Sequence, residues 1–134
     1  MKKGMLIIEN NPTLLKIIHE LLDEKNVPTH VRMADKKTNK EFVDDICSII
    51  DLGLIAGAII HKEQLPPSAE GEDLLSMLRL KGVAFICICN TVNNHASGKD
   101  GALISILLED KIMQNTDKIK EMLQLAFILP TVGG

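Results

Sequence analysis

A chain of 134 residues is long enough for one domain with a buried core, and 46% hydrophobic with 25% charged residues is typical of a globular protein. The 15 basic and 18 acidic residues give a net charge of −3, which argues against nucleic acid as a partner. With three Phe and no Tyr or Trp, the sequence also lacks the aromatic platforms on which bases stack.

We predict neither a membrane span nor a signal peptide in this sequence, and no metal motif. No apolar run approaches the roughly 20 residues of a membrane span, and the run 5–8 is shorter than the apolar core of a signal peptide, which needs about 7–15 residues. We therefore expect a cytoplasmic protein with no membrane contact. The Cys87-x-Cys89 pair has no second pair with which to enclose a metal, so Cys47, Cys87 and Cys89 are expected to be free thiols.

Apolar segments typical of buried strands alternate with amphipathic segments along the chain. We predict strands over residues 5–8, 27–33, 54–60, 83–89 and 102–108. Helices are predicted over 13–25, 39–51 and 71–80 and from residue 115 or 116 onward, whereas 92–101 is rich in Asn, Ser and Gly and favours a loop. This alternation predicts parallel strands with helices on both faces of the sheet. The expected fold is a doubly wound, flavodoxin-like three-layer α/β sandwich whose five-stranded parallel sheet has the order 2-1-3-4-5.

The junction between the first strand and the first helix carries polar residues where such folds usually place their chemistry. Pro12 suits the first helical turn because its missing N–H would be unpaired there, and Asn11 is the expected N-cap. In the predicted order, the carboxyl ends of strands one, three and four meet in one crevice. The candidate site residues at these ends and after strand five are Glu9, Asn10, His61, Glu63, Asn90, Thr91 and Lys111.

Two stretches of the sequence resemble a known family. Residues 5–22, MLIIENNPTLLKIIHELL, resemble the opening of a bacterial response-regulator receiver domain, which reads as an apolar strand, two acids, Asn, Pro and an amphipathic helix. Residues 65–75, with two prolines and a Leu-Leu pair, are similar to that family's Leu-Pro loop and third helix. The resemblance implies a single receiver-like domain over 1–129, a short tail over 130–134, and a role in two-component (phosphorelay) signalling.

The residues with which that family binds Mg²⁺ and contacts the phosphoryl group are mostly replaced. The family has two acids at the first strand end, where this chain has Glu9 and Asn10. The family's hydroxyl position falls on Asn90, with Thr91 one residue later, and its lysine after strand five matches Lys111 without the proline that follows it. Mg²⁺ in proteins is usually bound by one or two carboxylates with other oxygen ligands. We therefore expect no cofactor beyond weak Mg²⁺ binding at Glu9.

The aspartate that accepts the phosphoryl group is also missing, because no Asp lies between residues 51 and 73. Alignment on the third strand places His61 there, alignment on the proline-rich loop places Glu63 there, and the sequence leaves both open. A His cannot form an acyl phosphate. The carboxylate of a Glu would lie about one methylene farther out than that of an Asp, and it could imitate a permanently charged state of the site. Apart from any site, we expect His61 to pair with Glu9, and Lys111 to be either a partner of Glu9 or a surface lysine.

We therefore expect a degenerate receiver, or pseudo-receiver. It would be a stand-alone signalling module that is not an enzyme and acts by binding a protein of its pathway. The resemblance implies that the partner-binding face lies within residues 92–122 and includes Val92, Leu108, Lys111 and Met122. Apolar helix faces would also allow a homodimer.

Two alternatives belong to other functional classes. The chain could be an atypical phosphoacceptor that uses Glu63 in place of the aspartate. It could instead be a flavodoxin-like binder of a small molecule. The absence of a Gly-rich phosphate loop after the first strand and the scarcity of aromatics argue against this last function.

Overall fold

The computed structural model describes residues 3–33, 39–65, 69–92 and 101–132. Strands and helices alternate along these residues. The elements, in chain order, are β1 (Gly4–Ile8), α1 (Pro12–Glu24), β2 (Thr29–Arg32), α2 (Asn39–Asp51), β3 (Ile55–His61), a 3-10 turn (Lys62–Gln64), α3 (Ala69–Leu80), β4 (Phe85–Cys89), β5 (Ile104–Leu107), α4 (Asp110–Met113) and α5 (Thr116–Val132).

The five strands form one sheet in the order β2-β1-β3-β4-β5, and every neighbouring pair is parallel. The predicted fold class and strand order are therefore confirmed. Ile8 is paired with Ile60, and His61 is paired with Ile88, so β1, β3 and β4 end at the same edge of the sheet. This register brings their carboxyl ends side by side, as expected for a doubly wound sheet.

Helices cover both faces of the sheet, and the alternation of side chains along β1 shows why. Ile7 packs in a core cluster formed with α1 and α5, whereas Leu6 and Ile8 pack in a second cluster formed with α2 and α3. The apolar face predicted for α1 is buried in full, and its members are Leu14, Ile17, Ile18, Leu21 and Leu22. None of the described helices has the length and apolar character needed to cross a membrane.

Several element boundaries differ from those predicted. The last helix continues through Pro130 to Val132, although a proline removes one helical hydrogen bond and favours a break. Residues 130–132, which the sequence analysis assigned to the short tail, are helical. The four-residue helix α4 was not predicted, because one turn is too short to show a helical repeat. Most of the loop predicted over 92–101 lies outside the described residues, although Val92 itself is helical.

Asn11 caps α1 as predicted. Its side-chain oxygen accepts a hydrogen bond from the Leu14 N–H at 3.1 Å, and Pro12 occupies the first helical position. Replacement of Asn11 by Ala should lower the free energy of unfolding by about 1 kcal/mol, because a first-turn N–H loses its acceptor. Urea unfolding followed by circular dichroism measures this. Asn11→Ser should retain most of the stability, and equal losses for the two variants would contradict the capping role.

Candidate functional site

Glu9 lies at the carboxyl end of β1 and is buried, with only 1% of its side chain exposed. The chain turns back over the carboxylate, so Oε2 accepts from the backbone N–H groups of Asn10 at 3.2 Å and Asn11 at 3.1 Å. A buried carboxylate is tolerated where charge-assisted hydrogen bonds and an opposite charge compensate for its lost hydration. Glu9 therefore requires a cation close by, and β3 supplies it.

His61 is the last residue of β3, and it lies between Glu9 and Asn90. Its Nδ1 is 2.9 Å from Glu9 Oε1 and 3.0 Å from Glu9 Oε2. Its Nε2 is 2.6 Å from the Asn90 side-chain oxygen. The amide orientation of Asn90 follows from its other contact, because Nδ2 donates to the Leu108 carbonyl at 2.8 Å. Both ring nitrogens of His61 thus face acceptors, and this arrangement is that of a protonated imidazolium.

The electrostatic surroundings of His61 agree with this assignment. Burial lowers the pKa of His61, but the hydrogen bond to Glu9 and the charge of Glu9, with contributions from Asn90 and Glu63, raise it more. The net result is a pKa of His61 above the ordinary value of 6.5. The expected pairing of His61 with Glu9 is present, as a buried ion pair that connects the ends of β1 and β3.

Gln64 completes the surroundings of Glu9, and the sequence analysis did not identify it. Its Nε2 donates to Glu9 Oε2 at 2.5 Å, and its Oε1 accepts from the Asn10 N–H at 2.6 Å. The Gln64 Nε2 donor is also 2.8 Å from His61 Nδ1, a distance that by itself would suit an unprotonated Nδ1. An unprotonated Nδ1, however, would place its lone pair against both oxygens of the Glu9 carboxylate, so we assign a proton to Nδ1. The 3-10 turn after β3 brings this side chain back over His61. The only signal in the sequence was its place in the polar stretch that follows β3.

Glu63 lies in the same turn, and its carboxylate reaches the end of β4. Oε1 accepts from the Asn90 N–H at 2.8 Å, the Thr91 N–H at 3.1 Å and the Thr91 hydroxyl at 3.3 Å. Oε2 is 3.3 Å from His61 Nε2, and 23% of the Glu63 side chain is exposed. The structure therefore brings together six of the seven candidate residues, although Asn10 contributes its backbone N–H to these contacts.

Lys111 is the candidate that lies apart from the others. It is exposed on α4, and the described contacts of the Glu9 carboxylate are with Asn10, Asn11, His61 and Gln64. The alternative that paired Lys111 with Glu9 is therefore wrong. The positive charge beside Glu9 comes instead from His61, at the end of β3, which is adjacent to β1 in the sheet.

The residues expected on a partner-binding face differ in their exposure. Val92 is 57% exposed, Lys111 is exposed and Met122 is half-buried against the core. Leu108 is fully buried, so its inclusion in that face was wrong. Its side chain joins the core cluster under α1 and α5, because Leu108 lies directly after β5 and its N–H is held by the Cys89 carbonyl.

The arrangement leaves little capacity for a metal. Within the part of the chain that the structure describes, no group of three or more His, Cys, Asp or Glu side chains is placed to hold a metal ion. Mg²⁺ at Glu9 would have to displace His61, Gln64 and backbone donors from the carboxylate. Cys47, Cys87 and Cys89 form no disulfide in the described structure, in agreement with the sequence analysis.

Comparison with solved structures supports the fold, whereas comparison of the sequence with known families identifies none. No family model and no curated protein matches the sequence. Among solved structures, a response regulator from Burkholderia multivorans has a TM-score of 0.60 at 14% identity, with 100% of this chain and 97% of that chain covered. A response-regulator receiver domain from Clostridium thermocellum has a TM-score of 0.56 at 17% identity, with 95% and 98% covered.

A de novo designed Rossmann 2x3 protein is similar as well, with a TM-score of 0.56 at 11% identity over 92% of this chain and 87% of that one. The chain therefore has a receiver-like fold. Since a designed protein shares this architecture, function has to be argued from the residues at the strand ends rather than from the fold.

Proposed function

We propose that the protein is a stand-alone receiver-like signalling module of a two-component type system that acts by binding a protein partner. It forms no aspartyl phosphate and catalyses no reaction. The likeness to response regulators supports the class of module. The observation that carries the proposal is the ion pair of His61 with Glu9, which fills the crevice at the ends of β1 and β3.

The contacts of His61 and Glu9 leave neither side chain ready for phosphotransfer. Acyl phosphate chemistry needs a carboxylate nucleophile with a free oxygen and a metal that neutralises the incoming phosphoryl charge. The Glu9 carboxylate accepts hydrogen bonds from four residues, and both ring nitrogens of His61 are hydrogen-bonded to acceptors. An imidazolium has no lone pair with which to attack phosphorus. The charged groups of the crevice are thus already paired with each other.

A partner-binding face between β4 and α5 fits the exposed apolar side chains. Val92 after β4 is 57% exposed, and Leu125 on α5 is 63% exposed. Burial of exposed apolar side chains such as these by another protein is favourable, because it removes apolar surface from water. Lys111 on α4 adds a positive charge to this region.

Incubation with acetyl phosphate and Mg²⁺ followed by intact mass spectrometry tests the proposal. We expect no added phosphoryl mass, because both oxygens of Glu9 and both ring nitrogens of His61 are engaged by other groups of the protein. A stable single adduct would overturn the proposal. Glu63 is the carboxylate at these strand ends with partial exposure, so Glu63→Gln serves as the matched variant. An adduct that disappears in E63Q would establish the atypical phosphoacceptor instead.

A further inference from the structure

Three strongly exposed leucines lie at the edge of the sheet opposite the crevice. Leu52 follows α2 and is 71% exposed, Leu80 ends α3 and is 89% exposed, and Leu103 precedes β5 and is 58% exposed. They lie where the chain enters β3, β4 and β5, which are parallel neighbours in the sheet. The three leucines therefore belong to one end of the molecule, at the amino ends of these strands.

An ion pair joins the ends of α2 and α3 beside two of these leucines. Lys81 Nζ lies 2.8 Å from Asp51 Oδ1, and both charged side chains are exposed. In the chain, Lys81 adjoins Leu80 and Asp51 adjoins Leu52. The two leucines are thus neighbours across an exposed ion pair, unlike the apolar side chains that are scattered singly over most protein surfaces.

The end of α3 also contacts the segment before β5. The side chain of Arg79 lies against Gly101, where a β-carbon would come within 2.6 Å of Arg79 Cδ. Gly101 is two residues before Leu103, so this contact brings the third leucine to the same surface. We call this surface the leucine edge. Its members are Leu52, Leu80 and Leu103 with Asp51, Arg79 and Lys81.

The helix ends do not require the leucines that they carry. α3 ends in a Schellman turn, in which Gly82 has a φ of +73° and the Val83 N–H donates to the Leu78 carbonyl at 2.9 Å. The apolar contact of this motif falls to Val83 and Leu78, which are both buried, and Leu80 takes no part in it. The end of α2 has the same form around Gly53. A polar residue would therefore suit either exposed position at least as well in an isolated chain.

The charges of the leucine edge are self-complementary. A two-fold interface between identical copies places the same patch on both sides, so each acid must meet a base that the patch itself carries. Asp51 and Lys81 lie side by side, and each can pair with its counterpart in a second copy while the leucines pack together. Burial of the leucines would then be favourable, because it removes apolar surface from water. The mixed signs favour a second copy over an anionic membrane, which attracts positive charge alone.

We propose that the leucine edge is the interface of a two-fold homodimer. The second copy covers the three leucines, and Lys81 of each copy pairs with Asp51 of the other. The patch is smaller than the roughly 20–30 residues a side of a standard interface, so the dimer is weak and forms as the protein concentration rises. The crevice lies at the opposite edge of the sheet and stays accessible. The dimer therefore goes beyond the signalling role proposed above and does not depend on it.

Sedimentation equilibrium over a range of protein concentrations measures the dimer. We expect a reversible monomer–dimer equilibrium, and Leu80→Ser should raise its dissociation constant about tenfold or more, because one buried leucine is lost from each copy. Met33→Ser changes an apolar residue that is 42% exposed after β2, away from the leucine edge, and should leave the constant unchanged. A protein that stays monomeric up to millimolar concentration would overturn the proposal. So would a dimer that Leu125→Ser weakens and L80S does not.

Charge reversal separates a contact between copies from the ion pair within one copy. Asp51→Lys leaves only positive charges in the leucine edge, and Lys81→Asp leaves two acids against Arg79, so each variant alone should dimerise more weakly. An equimolar mixture of D51K and K81D should form a heterodimer with a lower dissociation constant than either variant alone, because opposite charges then meet across the interface. Mixing changes nothing within a single copy. Equal dissociation constants for the mixture and the separate variants would therefore contradict the proposed contact.

Folding and the alternative occupant are tested separately. Circular dichroism should give the same spectrum for the variants and the unaltered protein, because the substituted side chains are exposed. If L80S does not fold, the mixture of the two charge variants still decides between the outcomes. Co-sedimentation of a monomeric protein with vesicles of phosphatidylglycerol and phosphatidylcholine would assign the leucine edge to a lipid surface and overturn the dimer. A phosphoryl adduct would contradict the proposed function and leave the dimer unaffected.

Discussion

Replacement of Glu9 by Gln is expected to lower the free energy of unfolding by about 3–5 kcal/mol at acidic to neutral pH, the usual loss when one partner of a buried ion pair is removed. Gln keeps an acceptor oxygen but not the charge, so the His61 imidazolium is left uncompensated in a site where 4% of its side chain is exposed. Urea unfolding followed by circular dichroism at about pH 6 measures the loss.

A double-mutant cycle assigns this loss to the pair. Removal of both charges in Glu9→Gln/His61→Gln should be less damaging than the sum of the single changes, since no unpaired charge remains. Glu20→Gln changes an exposed glutamate on α1 and should stay within about 0.5 kcal/mol of the unaltered protein. A loss for E9Q no larger than that for E20Q would show that the ion pair does not stabilise the fold.

The free energy of unfolding is expected to fall as the pH rises above about 6.5, the ordinary pKa of a histidine in an unfolded chain. The pKa of His61 is raised in the folded state, so the folded protein binds a proton more tightly than the unfolded chain does. The corresponding stability is fully present below the unfolded His pKa of about 6.5 and is lost as the pH rises through the folded pKa. Within that window the slope is at most about 1.4 kcal/mol per pH unit.

Urea unfolding at a series of pH values tests this dependence with two histidine variants. His61→Gln should flatten the profile above about pH 6.5, because the group that loses its proton has been removed. His30→Gln, on the half-buried edge strand β2, should leave the slope unchanged. A profile in the unaltered protein that is already flat, or that rises with pH, would show that His61 is not held protonated in the fold.

Much of the scaffold follows from the sequence because it depends on local spacing. The repeat of apolar residues in α1, its Asn11 cap and the continuous apolar runs of β3 and β4 each reflect the short-range geometry of a helix or a buried strand. The alternation of these elements is compatible with few topologies, so the strand order also followed. That order in turn placed the polar residues after β1, β3 and β4 at one edge of the sheet.

The tertiary structure alone decided which of these polar residues meet, and in what state. Whether His61 or Glu63 reaches Glu9 depends on where β3 ends and on the turn of chain after it, and a shift of one residue reverses the direction of a side chain. The role of Gln64 required that same turn. The burial of Leu108 required β5 to lie against β4. The protonation of His61 depends on two acceptors that are distant in the sequence, Glu9 at a separation of 52 residues and Asn90 at 29. No local sequence pattern could predict these contacts.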